Sequence, residues 1–217
     1  MRRLLCLGWM CTVSALAWGA DPVTPEFESL PRPRMEGGRP LMEVLRDRKS
    51  TREFSAEPVT REQLANLLWA GFGVNRPQTL QRTAPCTMNL RCIDIYVATA
   101  DGTYHYDAEA HRLVVVGRKD VRTLTGGQDY VKIAPVAFVY VADHTKLATK
   151  VESPAERSFY AAVDAGLITE NVYLCCASEG LGSVIHMPGD RAALAQALHL
   201  RPEQQIVLAH TVGHPAK

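Results

Sequence analysis

One long helical pattern places the strongest limit on the fold of this 217-residue chain. Residues 153 to 180 read as a single helix that is apolar on most sides and is followed by Leu181-Gly182. A helix with so little polar surface has to be packed by other elements around most of its circumference. We therefore expect it to lie in the core of one domain, which the chain length also favours.

Shorter helices and strands are predicted around this helix. The helices cover residues 41–48, 60–71 or 60–73, and 191–198, and the second opens with the capping box Thr60-Arg61-Glu62-Gln63. The strands cover residues 93–98, 103–107, 112–116, 134–142, 183–185 and 206–212, and Asp101-Gly102 is a strong hairpin-turn signal. Because helices and strands do not alternate regularly, the sequence predicts an α+β fold rather than a doubly wound sheet.

The first 40 residues are typical of a targeting segment and a linker. Met1-Arg2-Arg3 is positively charged, residues 4–17 are almost wholly apolar, and Ala15-Leu16-Ala17 fits the small-x-small cleavage rule. The apolar run is shorter than the ~20 residues that span a bilayer. We expect residues 1–20 to be a signal peptide and the protein to be exported, to the periplasm or outside the cell. An uncleaved anchor or a buried helix is the alternative.

Residues 21–40 carry five prolines and the pair Gly37-Gly38, which together prevent a stable helix. This stretch is predicted to be an extended linker. The formal net charge of the whole chain is +1, with 47% hydrophobic and 22% charged residues. A near-neutral globular chain has no electrostatic footprint for nucleic acid or for an anionic membrane, so neither is an expected partner after leader removal.

Four cysteines lie beyond the predicted leader. Cys86 and Cys92 would pair if the chain turns between them, whereas the neighbours Cys175 and Cys176 are best interpreted as buried small apolar residues. No Cys or Cys/His spacing suits zinc. The sequence therefore predicts no metal site.

The segment Arg48-Lys49-Ser50-Thr51-Arg52 places three positive charges and two hydroxyls within five residues. Arginine forks and hydroxyls together suit a phosphate monoester, which carries about −1.5 to −2 charges and three strong acceptors. Arg48 and Arg52 would share a face if the helix continued through them. A solvated basic helix end that favours the helix dipole explains the same residues equally well.

A resemblance to a known family favours the phosphate site over the solvated helix end. The pattern Arg48-x-Ser50-x-Arg52-x-Phe54 resembles the opening motif of the nitroreductase family, which binds FMN. Four further parts of the chain are similar to that family in the family's order: residues 67–76, 83–89, 127–129, and 165–174 continuing to 180–184. The matches span residues 41–215, and the most similar subgroup is the small SagB-like branch.

The resemblance implies a fold and a division of roles. It implies that residues 41–217 form an FMN-binding domain with a central, mostly antiparallel sheet flanked by helices, and a homodimer with FMN at the interface. Arg48 and Ser50 would bind the phosphate. Arg52 would lie at the N1 and C2-carbonyl edge of the flavin, where a cation stabilises the charge that reduction adds. Lys217 is the candidate for a further basic residue at the phosphate.

Other residues would approach the ring. The resemblance implies that Gln128 bonds the ring edge and that Gly182 allows a close approach of the chain. Pro85, Cys86 and Asn89 would line the flavin of the partner subunit. Cys86 stands where the family usually has serine, and a thiol is a weak hydrogen-bond partner. No side chain is assigned to catalysis, because flavin N5 would face the backbone of the segment Met187-Pro188-Gly189.

The implied function is that of an exported FMN-dependent oxidoreductase. It would transfer hydride through flavin N5 to or from a conjugated small molecule such as a nitroaromatic or a quinone, in ping-pong order. NAD(P)H is the usual donor, but it is scarce outside the cytoplasm, so another donor is also considered. The alternative is a flavin- or heterocycle-binding protein without fast turnover.

Overall fold

The computed structural model describes residues 26–216, and within them a seven-stranded antiparallel sheet organises the fold. The predicted signal peptide, the start of the predicted linker and Lys217 lie outside the described residues. The described strands are β1 Phe27–Ser29, β2 Val74–Arg76, β3 Gln81–Arg82, β4 Ile93–Thr99, β5 Gly102–Asp107, β6 Arg112–Gly117, β7 Val136–Asp143, β8 Gly182–His186 and β9 Gln204–Gly213. The large sheet has the order β1-β6-β5-β4-β7-β9-β8, and β2 pairs separately with β3.

Six α-helices accompany these strands in the described part of the chain. They are α1 Leu41–Asp47, α2 Arg61–Phe72, α3 Asp129–Ile133, α4 His144–Ala148, α5 Pro154–Glu179 and α6 Arg191–Ala197. Single 3₁₀ turns cover Thr87–Asn89 and Arg122–Leu124. The predicted α+β fold with a mostly antiparallel sheet flanked by helices is confirmed.

Helix α5 begins and ends where its sequence predicts. The Ser153 hydroxyl accepts from the backbone N–H of Glu156 at 3.4 Å, and Gly180 ends the helix in the left-handed region at φ +75°. A residue with a Cβ is strained in that conformation, which explains the glycine. The inner face of the helix, including Ile168 and Val172, is buried in the main core.

Helices cover both faces of the sheet at its centre, and β7 is consequently buried along its whole length. Helices α2 and α5 pack on one face, where Leu67 and Ile168 meet Phe138 and Tyr140 of β7. On the other face, Leu194 at α6 and Leu198 just after it join Val139 of β7. Strand β9 contributes to both cores through Val212 and Ile206, and β8 pairs with β9 at the side of the sheet that borders residues 48–54.

The basic segment follows the first helix in an extended conformation. Helix α1 ends at Asp47, and Arg48 already has an extended ψ of 126°, so Arg48 and Arg52 do not share a helical face. Ser50 instead forms a parallel bridge with Ser183, and Phe54 forms an antiparallel bridge with Pro215. Pairing with these neighbouring segments holds the backbone extended and overrides helix continuation.

Two regions predicted to be irregular contain additional structure. The predicted linker contributes β1, which pairs with β6, and the loop between α2 and β4 contains the hairpin β2–β3 and a 3₁₀ turn. Further along the linker, the Arg34 backbone N–H donates to Asn66 and the Arg39 N–H donates to Ser178. From Phe27 onward this stretch is therefore packed on the domain.

Candidate functional site

Residues 50–55 lie between the sheet edge and the C-terminal residues. The Thr51 N–H donates to the Ser183 carbonyl at 2.9 Å, and the Ser55 N–H donates to the His214 carbonyl at 2.9 Å. The Ala216 N–H donates back to Glu53 at 3.0 Å. These backbone bonds fix the segment on both sides, while the side chains of Ser50 and Arg52 stay exposed.

Tyr173 of α5 lies directly beneath this segment and contacts two of its side chains. The guanidinium carbon of Arg48 is 5.4 Å from the centre of the Tyr173 ring, a cation–π arrangement. The Tyr173 hydroxyl is 3.2 Å from the Ser50 hydroxyl and accepts from the Ile185 N–H at 2.8 Å. Tyr173 therefore supports both Arg48 and Ser50, at the end of the segment that is rich in hydrogen-bond donors.

Gly182 has a clear packing reason to be glycine. A Cβ at this position would come within 2.7 to 2.9 Å of the Thr51 side chain, closer than real Cβ contacts. The close approach that the structure reveals is thus between β8 and the basic segment. The approach to a cofactor that the resemblance implies for Gly182 stays a prediction.

A second group of side chains lies at the Arg52 end of the segment. The Tyr130 ring is 6.1 Å from Phe54 and 5.9 Å from His186, measured between centroids. Burial raises the pKa of Tyr130, and the positive charge of Arg52 partly offsets that rise. The charge of Arg52 therefore acts on Tyr130 at this end of the segment.

Gln128 and the segment assigned to flavin N5 join this group. A Cβ on Gly126 would lie 2.5 Å from the Gln128 amide oxygen and 2.7 Å from the His186 ring, so the two side chains converge there. A Cβ on Gly189 would lie 3.9 Å from the Gly127 nitrogen. The structure thus brings Gln128 close to His186 and Gly189 close to Gly127, while the roles of Gln128 and of the segment Met187-Pro188-Gly189 toward a flavin stay predictions.

His186 is a neutral hydrogen-bonding group at this place. Its Nε2 is 2.9 Å from the Thr211 hydroxyl, and burial lowers its pKa below the ordinary value of 6.5. At neutral pH the ring therefore has one N–H and one acceptor nitrogen.

Unpaired polar atoms border the cluster. Four of the seven buried side-chain polar atoms that lack a hydrogen-bond partner in residues 26–216 belong to Ser183, His186, His210 and His214. All four residues lie on β8, on β9 or just after β9. Together with exposed cationic and hydroxyl groups, this chemistry fits a phosphorylated heterocycle such as FMN.

Pro85, Cys86 and Asn89 lie elsewhere in the chain's own structure. Their turn is anchored on Asp164 of α5, which accepts from the Thr87 N–H and hydroxyl, both at 3.0 Å. Asp164 precedes Tyr173 by nine residues, or about 13 Å along a helix. Pro85 and Asn89 are exposed. The three residues do not meet the basic segment of the same chain, so a role toward a partner's flavin stays a prediction.

The cysteines at this turn are free thiols. Cys92 is buried and donates to Asp164 at 3.4 Å, and Cys86 is half-buried. Burial raises the pKa of both thiols, which disfavours the reactive thiolate. The disulfide considered from the sequence is absent from the described structure.

Residues 26–216 contain neither a metal cluster nor a membrane-spanning helix. No group of three or more His, Cys, Asp or Glu side chains is arranged to hold a metal ion. None of the helices described there has the length and apolar character needed to cross a membrane.

Sequence reasoning missed the residues that support the cluster. Tyr173 lies within a matched segment but received no role, and Tyr130 and Thr211 were not singled out. No local sequence pattern marks these residues, because each contacts residues that are far away in the sequence. His186 is different, because its place next to the segment assigned to N5 already allows either a contact with substrate or simple packing to be predicted from the sequence.

Comparison with known proteins gives consistent matches. The model of the nitroreductase family matches residues 45–214. A crystal structure from Ralstonia eutropha JMP134, provisionally named a nitroreductase, has 41% identity and a TM-score of 0.83, covering 88% of this chain and 90% of that one. A protein from Methanocaldococcus jannaschii, also provisionally named a nitroreductase, is 30% identical over 155 residues, which are 66% of this chain and 76% of that protein.

A third relative is the NADPH-flavin oxidoreductase of Vibrio harveyi. It is 29% identical over 181 residues, covering 80% of this chain. The chain spans 65% of the length of that protein.

Proposed function

Because the chain belongs to the nitroreductase family, we propose that it is an FMN-dependent oxidoreductase that transfers hydride to or from a conjugated small molecule. The observation that supports the proposal is the segment of residues 48–54, held by backbone bonds, which joins an end rich in cations and hydroxyls to an aromatic end. Nitroaromatics and quinones are the proposed substrate class. The V. harveyi relative is named for flavin and NADPH, which supports both the cofactor and the donor class.

At the phosphate end, Arg48 and Ser50 would hold the terminal phosphate of FMN. The guanidinium supplies charge-assisted donors, and the exposed hydroxyl completes the shell. At the other end, Arg52 would bind the pyrimidine edge of the ring, and its charge opposes the negative charge that develops there on reduction. Gln128 would fix the same edge by a hydrogen bond.

The flavin supplies the two-electron chemistry when it is bound. The backbone of Met187-Pro188-Gly189 would lie beside N5, and Tyr130 and the neutral His186, which pack on each other, would border the ring. These groups would orient the cofactor and exclude water on that side. Turnover would follow ping-pong order, with donor and acceptor using one site in turn.

We further propose a homodimer in which α5 forms part of the interface. The outer face of α5 exposes Phe159, Val163 and Leu167, spaced four residues apart, at 64%, 42% and 39% of their surface. A Cβ placed on Gly166, on the same face, would meet no heavy atom of the neighbouring elements within 4 Å, which leaves room for a close partner. In such a dimer, the exposed turn with Pro85, Cys86 and Asn89 would face the partner's flavin.

Export is proposed from the predicted signal peptide in residues 1–20. An exported enzyme meets little free NAD(P)H, so a different reduced donor, or a substrate oxidised by the flavin, would drive the reaction in the cell. Mass spectrometry of protein recovered from the periplasm or medium tests the export, since cleavage removes about 17 to 20 residues.

The test of the function uses the mature chain and anaerobic spectroscopy. We expect the purified protein to carry a flavin spectrum, or to acquire one with added FMN, and to bleach when NADH, NADPH or another donor is added. Re-oxidation by a nitroaromatic or a quinone then completes the cycle. Retained flavin that no donor reduces would indicate the alternative, a flavin-binding protein without turnover. A colourless protein that ignores FMN contradicts both.

A further inference from the structure

Tyr173 occupies a position between the core and the candidate phosphate site. Its side chain is 6% exposed, and its ring packs on His210 at 4.7 Å between centroids and beneath the Arg48 guanidinium. Its hydroxyl is the one polar atom of the side chain and lies between Ile185 and Ser50. The phenol is therefore held at both its ring and its oxygen.

One of the two bonds of the phenol has a fixed direction. The Ile185 N–H can only donate, so the phenol oxygen is its acceptor at 2.8 Å. Between the Tyr173 and Ser50 hydroxyls, 3.2 Å apart, either group can be the donor. When Tyr173 donates, Ser50 keeps its own hydrogen free, and Ser50 is exposed to solvent.

We propose that Tyr173 is a positioning residue for phosphate binding, which orients the Ser50 hydroxyl as a donor and supports the Arg48 guanidinium. The inference rests on the proposed FMN function and assigns a role within that site. In this role Tyr173 donates to Ser50, so the chain Ile185 N–H, Tyr173 O–H, Ser50 O–H runs in one direction, each bond polarises the next, and the last donor is strengthened toward an anion. The Tyr173 ring adds a face on which the Arg48 cation rests.

A double-mutant cycle tests the coupling between the two hydroxyls. Tyr173→Phe keeps the ring and removes the donor, and Ser50→Ala removes the hydroxyl that Tyr173 orients. We expect each variant to weaken FMN roughly 3- to 10-fold, measured by quenching of flavin fluorescence. In the double variant, FMN affinity should be close to that of Ser50→Ala alone, because Tyr173 acts through Ser50. Riboflavin, which lacks the phosphate, should bind Tyr173→Phe as it binds the wild type.

Tyr140→Phe is the matched control. Tyr140 is also buried and its hydroxyl contacts the other side of the same histidine, His210, at 3.2 Å, but it does not touch Ser50. We expect this variant to leave FMN affinity unchanged, and the melting temperature of each flavin-free variant separates local loss of binding from unfolding.

Two outcomes overturn the inference while leaving the proposed function intact. One is additive weakening of FMN by Tyr173→Phe and Ser50→Ala, and the other is an unchanged FMN affinity in Tyr173→Phe. A wild-type protein that binds no FMN is a different result, since it removes the proposed function itself.

Discussion

Arg48 combines two features that favour an anion contact. It is half-buried, and its guanidinium lies over the Tyr173 ring. Removing a hydrogen bond to a charged group costs about 1.5–3 kcal/mol, so we expect Arg48→Ala to weaken FMN by that amount in a fluorescence titration. Arg46→Ala is the control, because Arg46 is 70% exposed and binds its neighbour Asp47. Equal affinity in the wild type and Arg48→Ala would refute the phosphate role.

His210 is a buried base whose protonation opposes folding. Its ring is enclosed by Tyr140 and Tyr173, and burial lowers its pKa from the ordinary 6.5 to about 3. Unfolding therefore takes up a proton between these pH values. The stabilising contribution of the neutral ring is nearly complete above pH 6.5 and is lost as the pH falls toward 3.

We accordingly expect acid to destabilise the protein through this residue. From pH 7 to pH 4 the free energy of unfolding should fall by on the order of 3 kcal/mol on account of His210, as measured by urea denaturation. His210→Asn should flatten this pH dependence, whatever its effect at pH 7. His199→Asn, at an exposed histidine, should retain the wild-type slope. An equal slope in both variants would contradict the assignment.

The sequence identified the basic segment well because its functional groups are consecutive. Arg48, Ser50 and Arg52 stand within five residues, and a motif can be recognised at that distance. The contact of Ser50 with Tyr173 joins residues 123 positions apart and depends on how α5 is rotated in the core. Such contacts follow from tertiary packing, which one sequence does not specify.

Helix α2 offers a direct test of a predicted helix start. The Thr60 hydroxyl accepts from the Gln63 N–H at 3.1 Å, and the Gln63 side chain accepts from the Thr60 N–H at 2.9 Å. We expect Thr60→Ala to lower the free energy of unfolding by about 1 kcal/mol in chemical denaturation. Thr123→Ala, at an exposed threonine in a 3₁₀ turn, should change it far less. Similar losses in both would remove the cap as the cause.

Elements with strong end signals were predicted accurately, and short ones were missed. The limits of α2 and α5 follow from Thr60, Ser153 and Gly180, whose side chains or backbone freedom end a helix locally. Helices α3 and α4 have five residues each, too few to show a 3.6-residue period. The first helix was predicted to within one residue of its end, but the extended course of the basic segment after it was not predicted, because its strand-like bridges come from Ser183 and Pro215 far along the chain.

The proposed dimer is tested on the whole molecule. Leu167→Lys places a charge on the exposed face of α5, so we expect light scattering to show a monomer and FMN to be released with it. Ile133→Lys, at an isoleucine that is 49% exposed on α3, is the control and should remain dimeric. A dimeric Leu167→Lys protein would move the interface away from α5.

The contacts that form the candidate site also close one edge of the sheet. An open strand edge offers unpaired N–H and C=O groups to other chains. The outer edge of β8 is occupied instead, since Ser183 accepts from Thr51 and the Ile185 N–H is bound by Tyr173. The opposite edge, β1, has three residues. A change that detaches Ser50 and Thr51 from β8 therefore exposes an edge for aggregation and also disrupts the candidate site. Loss of cofactor binding and loss of solubility should then occur together.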